Sequence, residues 1–173
     1  MSRPAPLPRL LLTAGALWLL AGCANYHLGP GAQPKFATLF IAPVAATAMI
    51  PQAQALVTTQ LREAFIHDGT LRLVNSPEAA DAVLEVTLTN YDRAVAVTLP
   101  TDTGLARRFN VTLHAAATLT DNRTHQAYFT KRTLTAQRGV FTDSGLIPSE
   151  YQALPLLAGL LADEAAHAVL DTW

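Results

Sequence analysis

The sequence predicts an α+β fold, a two-layer sandwich in which two α-helices cover one face of a mostly antiparallel β-sheet of about four to five strands. Two observations predict it. Apolar residues recur at helical spacing in two separated segments, at residues 51–68 and beyond residue 149. Between them, three long segments alternate apolar and polar residues and are joined by short turns. The predicted element order is β-α-β-β-β-β-α.

The first two elements are a strand and a helix. Residues 36–44 are apolar at nearly every position, which predicts a buried strand ending near Pro43. Residues 51–68 carry their apolar side chains on one stripe, which predicts an amphipathic helix. Gly69 follows as a helix-terminating residue, and His67 lies in the last turn, where positive charge is favoured.

Residues 71–74 are predicted to form a short strand. The three long alternating segments follow it and are predicted to form a meander of antiparallel strands. Residues 82–88 place apolar side chains at even positions, but from Tyr91 the larger apolar residues stand at odd positions, which predicts a bulge near Asn90. A turn at residues 100–104 leads to a return strand with apolar residues at odd positions from 109 to 119. After a second turn at 121–124, residues 126–138 form a more polar strand, expected near an edge.

The last predicted element is a helix. Ser149 and Gln152 have the spacing of a capping box, and Pro155 is expected either to kink the helix or to mark its first turn. Two amphipathic helices and one sheet bury most apolar surface when both helices pack on the same face. The other face of the sheet is therefore expected to remain polar and accessible.

The N-terminal residues predict a lipoprotein signal peptide. Arg3 and Arg9 precede an 11-residue apolar run, residues 10–20, which suits a signal peptide and is short for a membrane span. The only cysteine, Cys23, follows Leu20-Ala21-Gly22 as at a lipoprotein cleavage site. We expect residues 1–22 to be removed, Cys23 to carry the lipid, residues 23–34 to form a tether, and residues 35–173 to form one domain.

Composition limits the classes of function. The leader takes two of the 12 basic residues and none of the 13 acidic ones, so the mature formal charge is −3, which gives no support for nucleic acid as a partner. Sequence motifs of hydrolases, nucleotide-binding loops and zinc enzymes are missing. Glu164 with His167, and Glu63 with His67, have spacings more typical of surface pairs than of a metal site. We therefore predict a protein that is not an enzyme and uses no metal or cofactor.

Basic residues near the strands form the remaining candidate site. The six are Arg93, Arg107, Arg108, Lys131, Arg132 and Arg138. On neighbouring strands they could form a patch that pairs with phosphate groups. The alternative is a set of solvated charges that keep strand edges from associating.

Several segments together resemble the lipopolysaccharide-assembly lipoproteins of Gram-negative outer membranes, the LptE family. They are the cleavage site with Tyr26-His27-Leu28 after Cys23, residues 39–44 of the first strand, residues 69–74, residues 80–86, residues 152–156 and Trp173. The resemblance spans nearly the whole mature chain, in the right order.

The resemblance implies a lipid-anchored protein on the periplasmic side of the outer membrane. It implies that the domain plugs a large β-barrel that translocates lipopolysaccharide, helps that barrel to assemble, and contacts lipopolysaccharide through basic residues. The alternative is an auxiliary periplasmic lipoprotein of an ABC-type lipid or solute transporter, since residues 80–84 resemble such proteins too. A periplasmic hydrolase would need Ser, His and Asp side chains that converge in space.

Overall fold

The structure, a computed structural model, describes residues 35–47, 52–99, 102–141 and 146–172, and only the backbone of residues 97–99, 102–107 and 146–150. The predicted leader and tether, with Cys23, lie outside the described residues. The strands are β1 Thr38–Ile41, β2 Ala45–Ala46, β3 Arg72–Val74, β4 Ala82–Leu99, β5 Asp102–Asp121 and β6 Ala127–Phe141. The helices are α1 Ala53–Asp68 and α2 Leu146–Leu170, and Pro77–Ala79 form one turn of 3₁₀-helix.

The described strands form one mixed sheet of six strands in the order β3-β1-β4-β5-β6, with the short β2 also paired to β4. Strand β1 is parallel to β3 and to β4, whereas β4, β5 and β6 form an antiparallel meander. The parallel pair β1 and β3 requires a crossover, which α1 supplies. The predicted α+β class is confirmed, and the sheet has more parallel pairing than the sequence indicated.

The core lies on one face of the sheet, between the sheet and both helices. Even positions 82–88 of β4 and odd positions 111–119 of β5 are buried, together with Leu134, Ala136 and Val140 of β6. Each helix adds its own stripe, including Val57, Leu61 and Phe65 from α1 and Leu157, Leu161 and Val169 from α2. By length and composition Tyr151–Leu170 could cross a membrane, but 56% of this window is buried inside the fold, as expected of a core helix.

The predicted bulge at Asn90 is confirmed. Leu88 pairs with Ala115, but the next pair is Asn90 with His114, so Thr89 is the extra residue. The insertion reverses the alternation, and Tyr91 therefore joins the side of the sheet on which Leu88 is buried. Two further bulges lie in β6 opposite residues 117–120 of β5, and Lys131, in the first of them, has a positive φ of 50°.

Helix and turn boundaries match the predictions in part. Gly69 ends α1 with φ 72°, and its N–H donates to the carbonyl of Phe65, as the sequence predicted. The predicted capping box is wrong, because α2 begins at Leu146, which leaves Ser149 and Pro155 inside the helix. Of the predicted turn at 100–104, residues 100–101 lie outside the described residues, and Asp102 already belongs to β5.

One carboxylate fastens the start of β1 to the start of β4. Asp81 Oδ2 accepts hydrogen bonds from the backbone N–H groups of Ala37 and Thr38, both at 3.1 Å, and from the Thr38 hydroxyl at 2.9 Å. The Thr38 hydroxyl in turn accepts the N–H of Asp81 at 2.8 Å. We call Ala37, Thr38 and Asp81 the clamp. The hydrogen bonds from Thr38 and Ala37 lower the pKa of Asp81 below its ordinary value of 3.8.

The β5–β6 turn meets the same end of the sheet. Asp121 Oδ1 accepts the N–H groups of Arg123 and Thr124, both at 2.8 Å, and its Oδ2 accepts the hydroxyl of Tyr128 at 3.0 Å. These hydrogen bonds, led by the one from Thr124, lower the pKa of Asp121 to about 2. The Tyr128 ring lies 5.3 Å from the Phe36 ring, so this turn also holds the start of the described chain.

We predict that Asp81→Asn lowers the free energy of unfolding near neutral pH by about 1–3 kcal/mol, because charge-assisted hydrogen bonds are weakened. Since the folded pKa of Asp81 is depressed, its contribution is fully present above the ordinary pKa and declines as pH falls below about 3.8. Urea denaturation from about pH 6 to about pH 2.5 should therefore show the difference between parent and variant shrinking with acid. Glu78→Gln, at an exposed carboxylate, is the matched control, and a pH-independent difference would contradict the assignment.

Candidate functional site

The far ends of β4, β5 and β6 form a basic arm that projects from the core. We define the arm as residues 90–96, 108–112 and 137–141. Residues 92–96 are all exposed, and Val95 and Phe141 are 57% and 59% exposed. Strand β5 has 20 residues and spans roughly 65 Å at the usual rise of about 3.3 Å per residue, so the arm and the clamp lie at opposite ends of the sheet.

Four of the six predicted basic residues lie in or beside the arm. Register places Arg93 and Arg138 directly opposite Val111, one from each side, so both belong to the sheet face that the helices cover. Arg108 has the opposite parity to Val111 and belongs to the open face. Arg107 precedes it in β5, where only the backbone is described. The structure therefore divides the predicted basic residues between two faces instead of gathering them into one patch.

Arg132 has a structural partner. Its Nη1 donates to the carbonyl of Ala168 at 3.2 Å, and its guanidinium lies 5.7 Å from the centre of the Phe129 ring. Ala168 is in the last turn of α2, where the carbonyl groups lack partners within the helix. Arg132 therefore supplies a positive charge to the negative end of the α2 dipole. Neighbouring Lys131 is exposed, and its backbone N–H donates to the Thr118 hydroxyl at 3.2 Å.

Arg108 lies on the open face against Gly139 and Phe141 of β6. Arg108 pairs directly with Phe141, and its guanidinium lies 5.5 Å from the centre of that ring. A Cβ added to Gly139 would lie 2.5 Å from Nε and 2.6 Å from Nη2 of Arg108. The guanidinium thus occupies the space that the glycine leaves. Neither Gly139 nor Phe141 was among the predicted site residues, although a glycine inside a strand is a signal of close approach by another group.

A polar cluster on the open face joins the arm to the neighbouring parts of β5 and β6. Asp92 Oδ2 lies 3.1 Å from His114 Nε2, and the Asn90 amide donates to both oxygens of Asp92 at 2.9 Å. His114 Nδ1 lies 3.4 Å from the Thr135 hydroxyl on the next strand. The hydroxyl, imidazole and carboxylate follow the order of a hydrolase triad, in which the carboxylate is buried. Here Asp92 is more than half exposed on a sheet surface. The contacts of the cluster therefore join three strands.

Glu164 covers part of the β6 edge. Its Oε2 accepts the backbone N–H of Thr135 at 2.7 Å, which also removes that N–H as a donor to a substrate oxyanion. The contact keeps the edge strand from pairing with another chain at this position. Glu63, the other carboxylate of a predicted surface pair, accepts the amide of Gln60 at 2.7 Å. Among the described residues no group of three His, Cys, Asp or Glu side chains could hold a metal ion.

We predict that Arg132→Ala lowers the free energy of unfolding by about 1–2 kcal/mol, because the end of α2 loses a charged hydrogen-bond donor. Arg138→Ala, an exposed arginine on the same strand, should change it by less than about 0.5 kcal/mol. Urea denaturation of the two variants beside the parent makes the comparison. Equal losses would mean that the contact with Ala168 does not stabilise the fold.

The comparisons with solved structures support the fold. A protein from Xanthomonas campestris matches with a TM-score of 0.58 and 14% identity, covering 83% of this chain and 90% of that one. An uncharacterized lipoprotein B from Nitrosomonas europaea matches with a TM-score of 0.53 and 15% identity, covering 82% and 86%. PelC from Paraburkholderia phytofirmans, solved as a dodecamer, matches with a TM-score of 0.50 and 14% identity, covering 82% and 92%.

At these identities the likeness establishes the fold alone. Comparison with curated protein sequences finds no match. The family model described as LptE, lipopolysaccharide-assembly, matches residues 36–169, which include every described strand and the two described helices up to the last turn of α2. The matched family is not one of enzymes, which agrees with the prediction from the missing catalytic motifs. The chain therefore belongs to the LptE family of lipopolysaccharide-assembly lipoproteins of the bacterial envelope.

Proposed function

We propose that this protein plugs and helps to assemble the β-barrel that translocates lipopolysaccharide across the outer membrane, and that it binds lipopolysaccharide during export. The observation that carries the proposal is the open face of the sheet, which neither helix covers. Most of its residues are polar and lie in register across three strands, and the principal polar ones are Thr87, Asn90, Asp92, Thr112, His114, Thr118, Thr133, Thr135 and Gln137. The interior of a large outer-membrane barrel is also polar, so the two surfaces are compatible.

Short side chains make this face suitable for close packing. Thr87, Ala116 and Thr133 form one row across the three strands, and none of them is longer than a threonine. The threonine hydroxyls can donate and accept hydrogen bonds along a barrel wall. Asp92 on this face already has polar partners, because its Oδ2 lies 3.1 Å from His114 Nε2 and both of its oxygens accept the Asn90 amide.

The lipid anchor explains how such a domain finds its partner. We propose that the predicted lipoprotein processing attaches Cys23 to the periplasmic side of the outer membrane. The described chain begins at Lys35, whose ammonium lies 5.9 Å above the Tyr128 ring beside the clamp. The chain from Cys23 to Lys35 is 12 residue steps long and can span at most about 40 Å, so the clamp end stays near the membrane and the effective concentration of the domain beside a barrel is high.

The arginines supply the proposed contacts with lipopolysaccharide phosphates. Arg93, Arg107, Arg108, Lys131, Arg132 and Arg138 remain the candidates, and the geometry distinguishes among them. Arg132 already donates a hydrogen bond to a carbonyl at the end of α2. The arm carries Arg93 and Arg138 on one face and Arg108 on the other. Guanidinium groups bind phosphate oxygens in bidentate fashion, which suits an exposed arm at the end opposite the clamp.

We predict that a C-terminally tagged protein, purified in mild detergent from its own membranes, retains one large β-barrel in equimolar amount, identified by mass spectrometry. The polar open face suits a partner of that kind, because the interior of a large outer-membrane barrel is also polar. Cys23→Ala should reduce recovery because the domain loses its membrane anchor, while Arg123→Gln, at an exposed arginine near the clamp, should leave recovery unchanged.

The same experiment separates the alternative function. Recovery of the ATPase and membrane subunits of an ABC-type transporter would replace the plug with an auxiliary transport lipoprotein. Recovery of neither a barrel nor transporter subunits would also contradict the plug proposal.

A further inference from the structure

We propose that Arg108, positioned by Gly139 and Phe141, is a preorganised binding site for a phosphate group on the open face of the arm. The assignment deepens the proposed function, on which it rests for the source of the phosphate, a lipopolysaccharide headgroup. It selects one residue of the six candidates and adds two positioning residues that carry no charge.

The strand register places Arg108 and Gly139 on the same face of the sheet. Arg108 stands directly opposite Phe141, and Gly139 pairs with Asn110, so glycine is the diagonal neighbour of the arginine on the same face. The guanidinium leans across this diagonal onto the glycine. Atoms Nε, Nη2 and Cζ would all lie within 2.9 Å of a Cβ at position 139. Any residue with a side chain at this position would displace the guanidinium.

The aromatic ring of Phe141 is the second group that the Arg108 side chain contacts. Cζ of Arg108 lies 5.5 Å from the centre of the Phe141 ring, within the range of a cation–π interaction. Backbone and ring together restrict the long side chain, which would otherwise sample many rotamers and lose that freedom on binding a ligand. The ring of Phe141 is itself 59% exposed, so the bound guanidinium stays at the surface.

The positive charge of Arg108 has no acidic partner among the described residues of this face. In the part of the chain that the structure describes, no carboxylate forms an ion pair with Arg108, and Asp92 on the same face lies against His114 instead. A guanidinium packed against backbone and ring keeps N–H donors at its edge, and these match two oxygens of a phosphate. Arginine, rather than lysine, is required because only the planar fork can pack flat on glycine and still donate in pairs.

The test uses the full-length lipidated protein, immobilised in mild detergent through a C-terminal tag, with lipopolysaccharide as the probe. Gly139→Ala is the decisive variant. Its φ is not positive, and the new Cβ meets only the far end of the Arg108 side chain, so the fold is retained. We expect thermal unfolding at or above the parent temperature but lipopolysaccharide binding about tenfold weaker, close to the loss in Arg108→Ala.

Companion variants separate positioning from stability. Phe141→Tyr keeps the ring and should bind like the parent, whereas Phe141→Leu should bind more weakly with an unchanged unfolding temperature. Arg108→Lys keeps the charge but should not restore binding. Gly159→Ala, a glycine substitution in α2, and Arg123→Gln, an arginine substitution near the clamp, are the matched controls and should bind like the parent.

The source of the phosphate is tested with two further probes. Lipopolysaccharide stripped of its phosphates should bind the parent and Gly139→Ala equally weakly. Inorganic phosphate should compete only at high concentration if the site takes a lipid headgroup, and at low concentration if it takes free phosphate.

The Arg108 site would be contradicted if Gly139→Ala and Arg108→Ala bound lipopolysaccharide as well as the parent does. It would also be contradicted if the parent bound stripped and intact lipopolysaccharide equally well. Barrel recovery from membranes is measured separately on the parent. Recovery of a barrel together with undiminished binding would overturn the Arg108 site alone. Loss of binding in Gly139→Ala without a recovered barrel would overturn the plug and leave the phosphate site in place.

Discussion

The hydrogen bonds of one carboxylate determine how the sheet begins. Asp81 holds two consecutive N–H groups at the start of β1, and Thr38 returns a hydrogen bond to the backbone of Asp81. This exchange places β1 alongside β4 in parallel, between β4 and β3. The backbone carbonyl of Asp81 also accepts the N–H of Asn122, which brings the β5–β6 turn to the same end. With this end fixed, the three long strands extend in the opposite direction and form the arm.

The two ends of the sheet therefore differ in composition and in order. The clamp end is rich in hydrogen bonds between side chains and backbone, and its carboxylates are stabilised in the charged form. The arm has exposed side chains on both faces and arginines that outnumber its acids. We infer that the clamp end keeps the sheet ordered while the arm remains available to ligands and partners.

The alternation of apolar and polar residues predicted which side chains of each long strand face the core. It identified the buried faces of β4 and β5, and the change of phase at Asn90 predicted the bulge because a bulge is the simplest way to reverse a face. Alternation carries no information about which strands pair. The position of β1 between β3 and β4 depends on the Asp81 hydrogen bonds, which join residues more than 40 positions apart in the sequence. The sequence therefore predicted too few parallel pairs.

The candidate site was predictable only as a set of residue types. Composition selected the six basic residues, but their roles depend on neighbours across strands. Arg132 meets Ala168, 36 residues away, and becomes part of the fold, whereas Arg108 meets Gly139 and becomes a positioned surface cation. The start of α2 was misplaced because Ser149 and Gln152 have capping spacing while lying inside a longer helix. Local motifs do not reveal whether a helix has already begun upstream.

We propose that the open face of the sheet lies against the wall of a β-barrel. Photo-crosslinking in cells tests this contact, with a photoreactive side chain placed at Thr87 or Thr133 on the open face and at Asp163 on the exposed side of α2. We expect both open-face positions to crosslink to one large outer-membrane β-barrel more strongly than position 163. Crosslinks from the open face to transporter subunits, or to no protein, would contradict it.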